Sequence, residues 1–369
     1  MSKYFNQDLI SDAAYQTRDM VSSEERIAVA SKIIRDALAI GNVEGILSHG
    51  YYKGVGVNVD PKWSTEEKLK HAGLDWMTEA SSFEYGNNRQ FTAEKKNIVY
   101  RQDTGQIFGL AGEHWKPYQN SEVLRSFEQF CEEANLKIER LGALKGGELI
   151  FATAVIPSSW CVLGESSDAI AARLLLLNSH VCGTGLTAKL NTIRLVCANG
   201  MTDKLSISKT VINHVREFSR AKVNEVLHQA QFSFESYGDR CDKLAQIEIN
   251  NKDAQNFLVE TLGKKDQFGN LERFEEQNRL VKHSYYTYIN RCGLGGDLGT
   301  ACGTAWGLLN TVTQQLSHNS RSYGEKHMHS MWDGAKAFQG NKVMSSLEYE
   351  FLNRGKRKST QTVHQSVRN

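Results

Sequence analysis

RLLLLNSH (Arg173–His180) and LNTIRLVCANG (Leu190–Gly200), separated by a loop that contains Gly183 and Gly185, decide the fold class of this chain. The first run is fully apolar before it ends in three polar residues, as a strand does when it emerges from a core into a loop. The second alternates, with Ile193, Leu195 and Cys197 on one face and Thr192, Arg194 and Val196 on the other. Upstream, ELIFATAVIP (Glu148–Pro157) is a further strand, and Gly146 with Gly147 separates it from one before. Strands joined by short glycine-containing turns imply an antiparallel meander.

Working outward from the meander, Asn120 or Ser121 is placed to cap a helix running to about Ala134, with Val123, Leu124, Phe127, Phe130 and Cys131 along one stripe. NIVYR (Asn97–Arg101) and QIFGLAG (Gln106–Gly112) flank Asp103, Thr104 and Gly105, a hairpin composition. Ser64 and Glu67 form a capping box for a short helix ending near Gly73. Before it lie a Gly-rich stretch (Gly50–Val57) and an amphipathic helix over Glu24–Ile40 that stops at Gly41.

Beyond Ser206 the β-branched runs give way to helical segments near Lys209–Glu235, Lys252–Leu262, Glu272–Arg291, Thr304–His318 and Glu325–Ala337. The expected architecture is α+β. An N-terminal helix and Gly-rich segment occupy 1–62, a mostly antiparallel sheet with helices 63–205, and a helical region 206–353. A disordered basic tail follows over 354–369, which has too little apolar content to offset its ordering entropy.

Composition bounds the function. Hydrophobic residues at 40% and charged residues at 23% describe an ordinary globular protein rather than a disordered one. No stretch has the apolar length of a membrane span, and MSKYFNQDLISDAAYQTRDM lacks the apolar segment of a signal peptide, so cytoplasmic residence without membrane contact is expected. The seven cysteines are scattered, odd in number and never spaced as C-x-x-C, which favours reduced, mostly buried thiols over disulfides or a cysteine-rich zinc site. Net charge is +2, but Arg354, Lys356, Arg357, Lys358 and Arg368 all lie in the tail, so the remainder is slightly acidic. Any contact with a polyanion therefore needs a local patch or the tail itself.

LLLLNSH (Leu174–His180), IRLVCANG (Ile193–Gly200) and GTAWGLLNTVTQQLSH (Gly303–His318), with a weaker match in YRQDTGQIFGLAGEHWKPYQN (Tyr100–Asn120), resemble the phage/plasmid-like protein family of mobile genetic elements, domain of unknown function 932. The resemblance implies residence on phages, prophages and plasmids in a bacterial host and transfers no activity. Where the family pattern continues Asn-Ser-His with Asp-Gly, this chain has Val181, Cys182 and Gly183, which argues against acid/base or metal chemistry at that loop.

The first functional expectation is a nucleic-acid-binding protein, most concretely one that binds or anneals single-stranded DNA in recombination, repair or replication, with homo-oligomerisation adding avidity. Asn178, Ser179 and His180 end their strand at an expected exposed loop, with Lys189, Arg194 and Asn199 on or beside the neighbouring strand. In this reading Lys189 and Arg194 neutralise phosphates while Asn178 and Asn199 donate hydrogen bonds; in the bland alternative the loop residues only satisfy turn backbone. Tyr285, Tyr286 and Tyr288 interleave with Lys282, His283 and Arg291 as in single-strand binders, or form a half-buried helix face. Lys356, Arg357 and Lys358 add nonspecific affinity or merely solubility.

No cofactor, metal or catalytic group is assigned. His180, Cys182 and Cys197 are conceivable zinc or thiol partners, yet Cys197 reads as a core residue. The glycine-rich Gly293–Gly299 lacks the preceding strand and following Lys-Ser/Thr of a phosphate loop and reads as a turn into the helix of Trp306 and Leu309. Two other classes stay open: a hydrolase or nuclease with its site at Asn178–His180, and an interaction protein that binds a host factor or blocks a defence system.

Overall fold

The computed structural model describes residues 52, 54–181, 187–197, 199–203, 220–263, 278–318 and 324–352. The expected N-terminal helix, the basic tail with Lys356, Arg357 and Lys358, and Cys182 lie outside the described residues.

The fold is α+β with antiparallel sheets and a helical C-terminal region. The large sheet has six strands: β1 (Val57–Asn58), β7 (Lys137–Leu144), β8 (Leu149–Cys161), β9 (Ala169–Ser179), β10 (Thr187–Arg194) and β11 (Asn199–Asp203), paired in that order and antiparallel throughout. A smaller sheet orders β2 (Thr78–Ser81), β5 (Lys96–Arg101) and β6 (Ile107–Gly112). Between β2 and β5, β3 (Glu84–Tyr85) and β4 (Phe91–Thr92) pair as a separate hairpin.

Two features explain the course of the long strands. The register of β8 against β9 shifts between Val155 and Ser159, spanning Pro157, which has no N–H to give to a ladder. Near β1, the Phe151 ring lies across Gly56 and Gly142; a Cβ on Gly142 would fall 2.9 Å from that ring and 2.7 Å from Gly56 Cα, so only glycine lets the chains approach this closely.

The helices close the core. α1 (Thr65–His71) begins at the Ser64/Glu67 capping box the sequence implies. α2 (Asn120–Glu133) buries the expected stripe of Val123, Leu124, Phe127, Phe130 and Cys131, but Gln119, rather than Asn120 or Ser121, stands at its N-cap. Asn120 is instead buried and bonded inward. α3 (Arg220–Ala245) runs ten residues past the expected end at Glu235, because Tyr237, Cys241 and Leu244 continue its buried face. α4 (Asn251–Leu262), α5 (Arg279–Ile289) and α6 (Ala305–Ser317) follow, the last capped by the Thr304 side chain.

The expected single helix over Glu325–Ala337 is two, α7 (Gly324–Asp333) and α8 (Ala335–Leu347), broken at Gly334, whose extended backbone serves as the N-cap of α8. Sheet and helices share one hydrophobic core. Every residue of β9 from Ile170 to Asn178 is buried, so the central strand is covered on both faces. Among the described residues no helix is long and apolar enough to cross a membrane.

Candidate functional site

The polar block at the end of β9 faces inward. His180 is 1% exposed, packed against the rings of Phe108 (5.6 Å, stacked) and Trp76 (5.5 Å, edge-on). Asn120 gives its amide hydrogens to the carbonyls of Leu74 and Trp76, at 2.9 and 3.3 Å, which leaves its Oδ1 facing His180 Nε2 at 2.9 Å. That ring nitrogen must therefore carry the proton, and Nδ1 accepts from the Thr78 hydroxyl at 3.5 Å. A histidine enclosed by two rings with both nitrogens engaged holds β2, β6 and α2 against the end of β9. The hydrolase or nuclease reading places its site at this histidine, which is 1% exposed.

Its neighbours behave similarly. Asn178 is buried in β9 opposite Ile150, with its Nδ2 lacking a hydrogen-bond partner among the described residues. Ser179 is half-buried, and its hydroxyl accepts from the Val181 N–H at 3.1 Å, the local turn bond of the bland alternative.

Lys189 and Arg194 do not present charge to solvent, as the exposed-loop expectation required. Lys189 Nζ donates to Asp333 Oδ1 at 2.6 Å and to the Trp332 carbonyl at 3.4 Å, tying β10 to the C-terminus of α7, where a cation suits the helix dipole. Arg194, 3% exposed, donates from Nε and Nη2 to the two oxygens of Asp168 at 2.5 and 2.8 Å, and Nη2 also reaches the Gly295 carbonyl at 3.2 Å. Asp168 is fully buried and accepts two more bonds, from Thr300 Oγ1 at 2.5 Å and Trp306 Nε1 at 3.0 Å. Burial alone would raise the Asp168 carboxyl; the Arg194 charge and the bonds from Arg194, Thr300 and Trp306 outweigh it and hold the group below its ordinary value.

Asn199 completes the pattern, its Nδ2 donating to the Asn310 carbonyl at 3.2 Å and Thr313 Oγ1 at 3.3 Å on α6. These placements follow from what packs over the strands. Strand alternation says which side chains share a face but not what packs over it: α6 and the Gly293–Gly299 loop cover the face of Arg194 and Asn199, and α7 covers Lys189 on the opposite face. Gly295 itself contributes a carbonyl to Arg194, so this glycine-rich loop serves the buried ion pair.

The Tyr/Lys/Arg segment is placed differently. α5 is capped at its N-terminus by Asn278, whose side chain accepts from the N–H groups of Leu280 and Val281. Its inner face buries Val281, Ser284, Thr287 and Tyr288, with the Tyr288 hydroxyl donating to the Ile249 carbonyl at 2.7 Å. Helical periodicity then turns Arg279, Lys282, His283 and Tyr286 outward, and all four are exposed, as is Arg291 just past the helix. Tyr286 is 57% exposed, whereas Tyr285 is half-buried against the core. No acidic residue occurs from Arg279 to Arg291. Of the residues singled out from sequence, Tyr286 with Lys282, His283 and Arg291 therefore forms a solvent-facing cationic and aromatic surface, and Arg279 joins it.

Among the described residues no group of three or more histidine, cysteine or acidic side chains is placed to hold a metal ion. No curated protein and no solved structure matches the chain. The buried bonds just described tie together the blocks on which the sequence resemblance rests: Asn199 bonds to Asn310 and Thr313, Arg194 and Trp306 both bond to Asp168, and His180 bonds to Asn120 at the end of the weaker match. Consistent with a shared fold built on those blocks, residues 107–365 match the family described as domain of unknown function DUF932, and the chain belongs to that family.

Proposed function

We propose that the protein binds single-stranded nucleic acid, with the outer face of α5 as its backbone-contacting surface. One observation carries the reading: Arg279, Lys282, His283, Tyr286 and Arg291 are all exposed on a segment without a single acidic residue. Lysine and arginine neutralise phosphates without regard to sequence, and an exposed tyrosine offers a ring on which any base stacks. Tight burial of the β9 and β10 polar groups removes them from contact with the ligand and leaves them the task of fixing the helices on the sheet. No catalytic group is required, because holding a strand by its backbone leaves its bases free to pair. Several copies acting along one strand would raise a weak single contact through avidity.

The test is binding of a labelled single-stranded oligonucleotide across a salt series. With Arg279, Lys282 and Arg291 each displacing a counterion, log K is expected to fall with log salt at a slope of roughly −2, about 0.7 per phosphate on a single strand. Absent binding, or binding that salt does not weaken, overturns the reading.

A further inference from the structure

A second surface lies far from α5 in sequence and outside the stretch that matches the family. β3 and β4 pair Tyr85 with Phe91 and Glu84 with Thr92, and the Ala93 N–H donates to the Phe83 carbonyl at 2.9 Å, extending the pairing by one step. Alternation along the strands sets Phe83, Tyr85 and Phe91 on one face and Glu84 and Thr92 on the other. The rings form a continuous run, with centroids 6.4 Å apart for Phe83 and Tyr85 and 5.5 Å for Tyr85 and Phe91. Tyr85 is 54% and Phe91 51% exposed, and from Ser81 to Thr92 every residue but Phe83 is exposed.

Local geometry holds this run in place. Gly86 has φ +88°, and a Cβ there would sit 2.7 Å from Phe91 Cδ2, so the Phe91 ring lies directly on the glycine and is held beside Tyr85. Asn88, Arg89 and Lys95 adopt φ of 60°, 56° and 56°, a left-handed conformation costly for residues with side chains and concentrated at sites where geometry matters more than local ease. A hairpin of two residue pairs is marginal by itself. Leaving its rings half in water forgoes the burial that would otherwise hold it.

We propose that this hairpin is a stacking arm for the unpaired bases of single-stranded nucleic acid. The proposal rests on the reading of α5 and deepens it by naming the feature that separates single strands from duplex. Bases inserted beside Tyr85 and Phe91 need exposed π-faces, which a duplex hides. Arg89 in the turn and Lys95 and Lys96 after β4 are exposed cations within a few residues of the rings in sequence, while between Ser81 and Lys96 the acids are Glu84, on the opposite face, and Glu94, beyond β4. Aromatic rings bordered by cations match a chain of bases on a phosphate backbone better than an apolar protein surface.

The experiment compares the full chain with a Tyr85→Ala/Phe91→Ala double variant, using a fluorescein-labelled single-stranded oligothymidine and a blunt duplex of equal length. The variant is expected to bind the single strand at least about ten-fold more weakly, with the salt slope and duplex binding unchanged, because it loses stacking and no charge. As a check against local unfolding of the hairpin, Tyr85→Trp keeps a ring and is expected to retain affinity, with its added fluorescence quenched by bound oligonucleotide. If the wild type binds and the double variant binds equally well, the stacking arm is overturned and the reading of α5 stands; a wild type that binds no strand sinks both. A variant that binds normally but shifts from dimer to monomer in sedimentation also overturns the proposal, in favour of self-association through the rings.

Discussion

Asp168→Asn is expected to lower folding stability by about 3–5 kcal/mol, the range seen when one partner of a buried ion pair is removed and the other is left uncompensated. Arg194 is 3% exposed, so its charge has no route to water once the carboxylate is gone. Its Nη1 already lacks a partner among the described residues, and the substitution would also turn an amide hydrogen toward the guanidinium or weaken the bonds from Thr300 and Trp306. Such a loss is a large fraction of the roughly 5–15 kcal/mol that holds a domain together. Urea denaturation of the two proteins measures it, and a difference under about 1 kcal/mol would mean that the pair is not the fastening described.

The same carboxylate has a pH signature. Its folded pKa is depressed, so the stability it contributes is full above the unfolded value of about 3.9 and is lost as pH falls through the folded value. The stability gap between wild type and Asp168→Asn should therefore be constant near neutrality and begin to close only below about pH 4. A gap that closes on the alkaline side instead contradicts the assignment.

Trp332→Ala is expected to cost about 3–5 kcal/mol for a different reason, the cavity left by a large buried ring. Trp332 is 2% exposed and meets Phe151 of β8 edge-on at 4.8 Å and Tyr52 at 6.4 Å, so one side chain of α7 fastens the helical region to the sheet. Its carbonyl also accepts from Lys189. Trp332→Phe should recover much of the loss by refilling part of the volume, and equal losses from both substitutions would show that packing is not the cause. Because Asp168 and Trp332 act on the body of the protein, any loss of ligand binding in these variants reports unfolding rather than the interface.

Much of the fold was legible in the sequence because its signals are local. The Ser64 capping box, the Phe127 stripe of α2 and the turns at Gly105 and Gly146 are each specified within a few residues, and the antiparallel meander follows from the short turns between strands. The break at Gly334 was missed because helix-forming residues run up to and past it, and only the glycine marks the stop. The site was less legible. Arg194 and Lys189 looked available because alternation places a side chain on a face without saying what packs over it; Asp168 and Trp306, which claim Arg194, lie in blocks 138 residues apart that no local pattern connects. α5 was readable as a basic and tyrosine-rich helix because its own periodicity separates the buried Tyr288 from the exposed Tyr286. The β3–β4 hairpin escaped because two-residue strands are too short to register a period. Its signal was the aromatic spacing of Phe83, Tyr85 and Phe91 about Gly86.

The most direct measurement of the central claim is the affinity of an Arg279→Glu/Lys282→Glu chain for a single-stranded oligonucleotide, compared with wild type at low salt and through a salt series. Arg279 opens α5, where a carboxylate suits the helix dipole better than a cation, and both side chains are exposed, so thermal stability should be unchanged or slightly higher. The account predicts at least about a ten-fold loss of affinity and a shallower salt slope. An unchanged affinity and slope in a fully folded variant would contradict it.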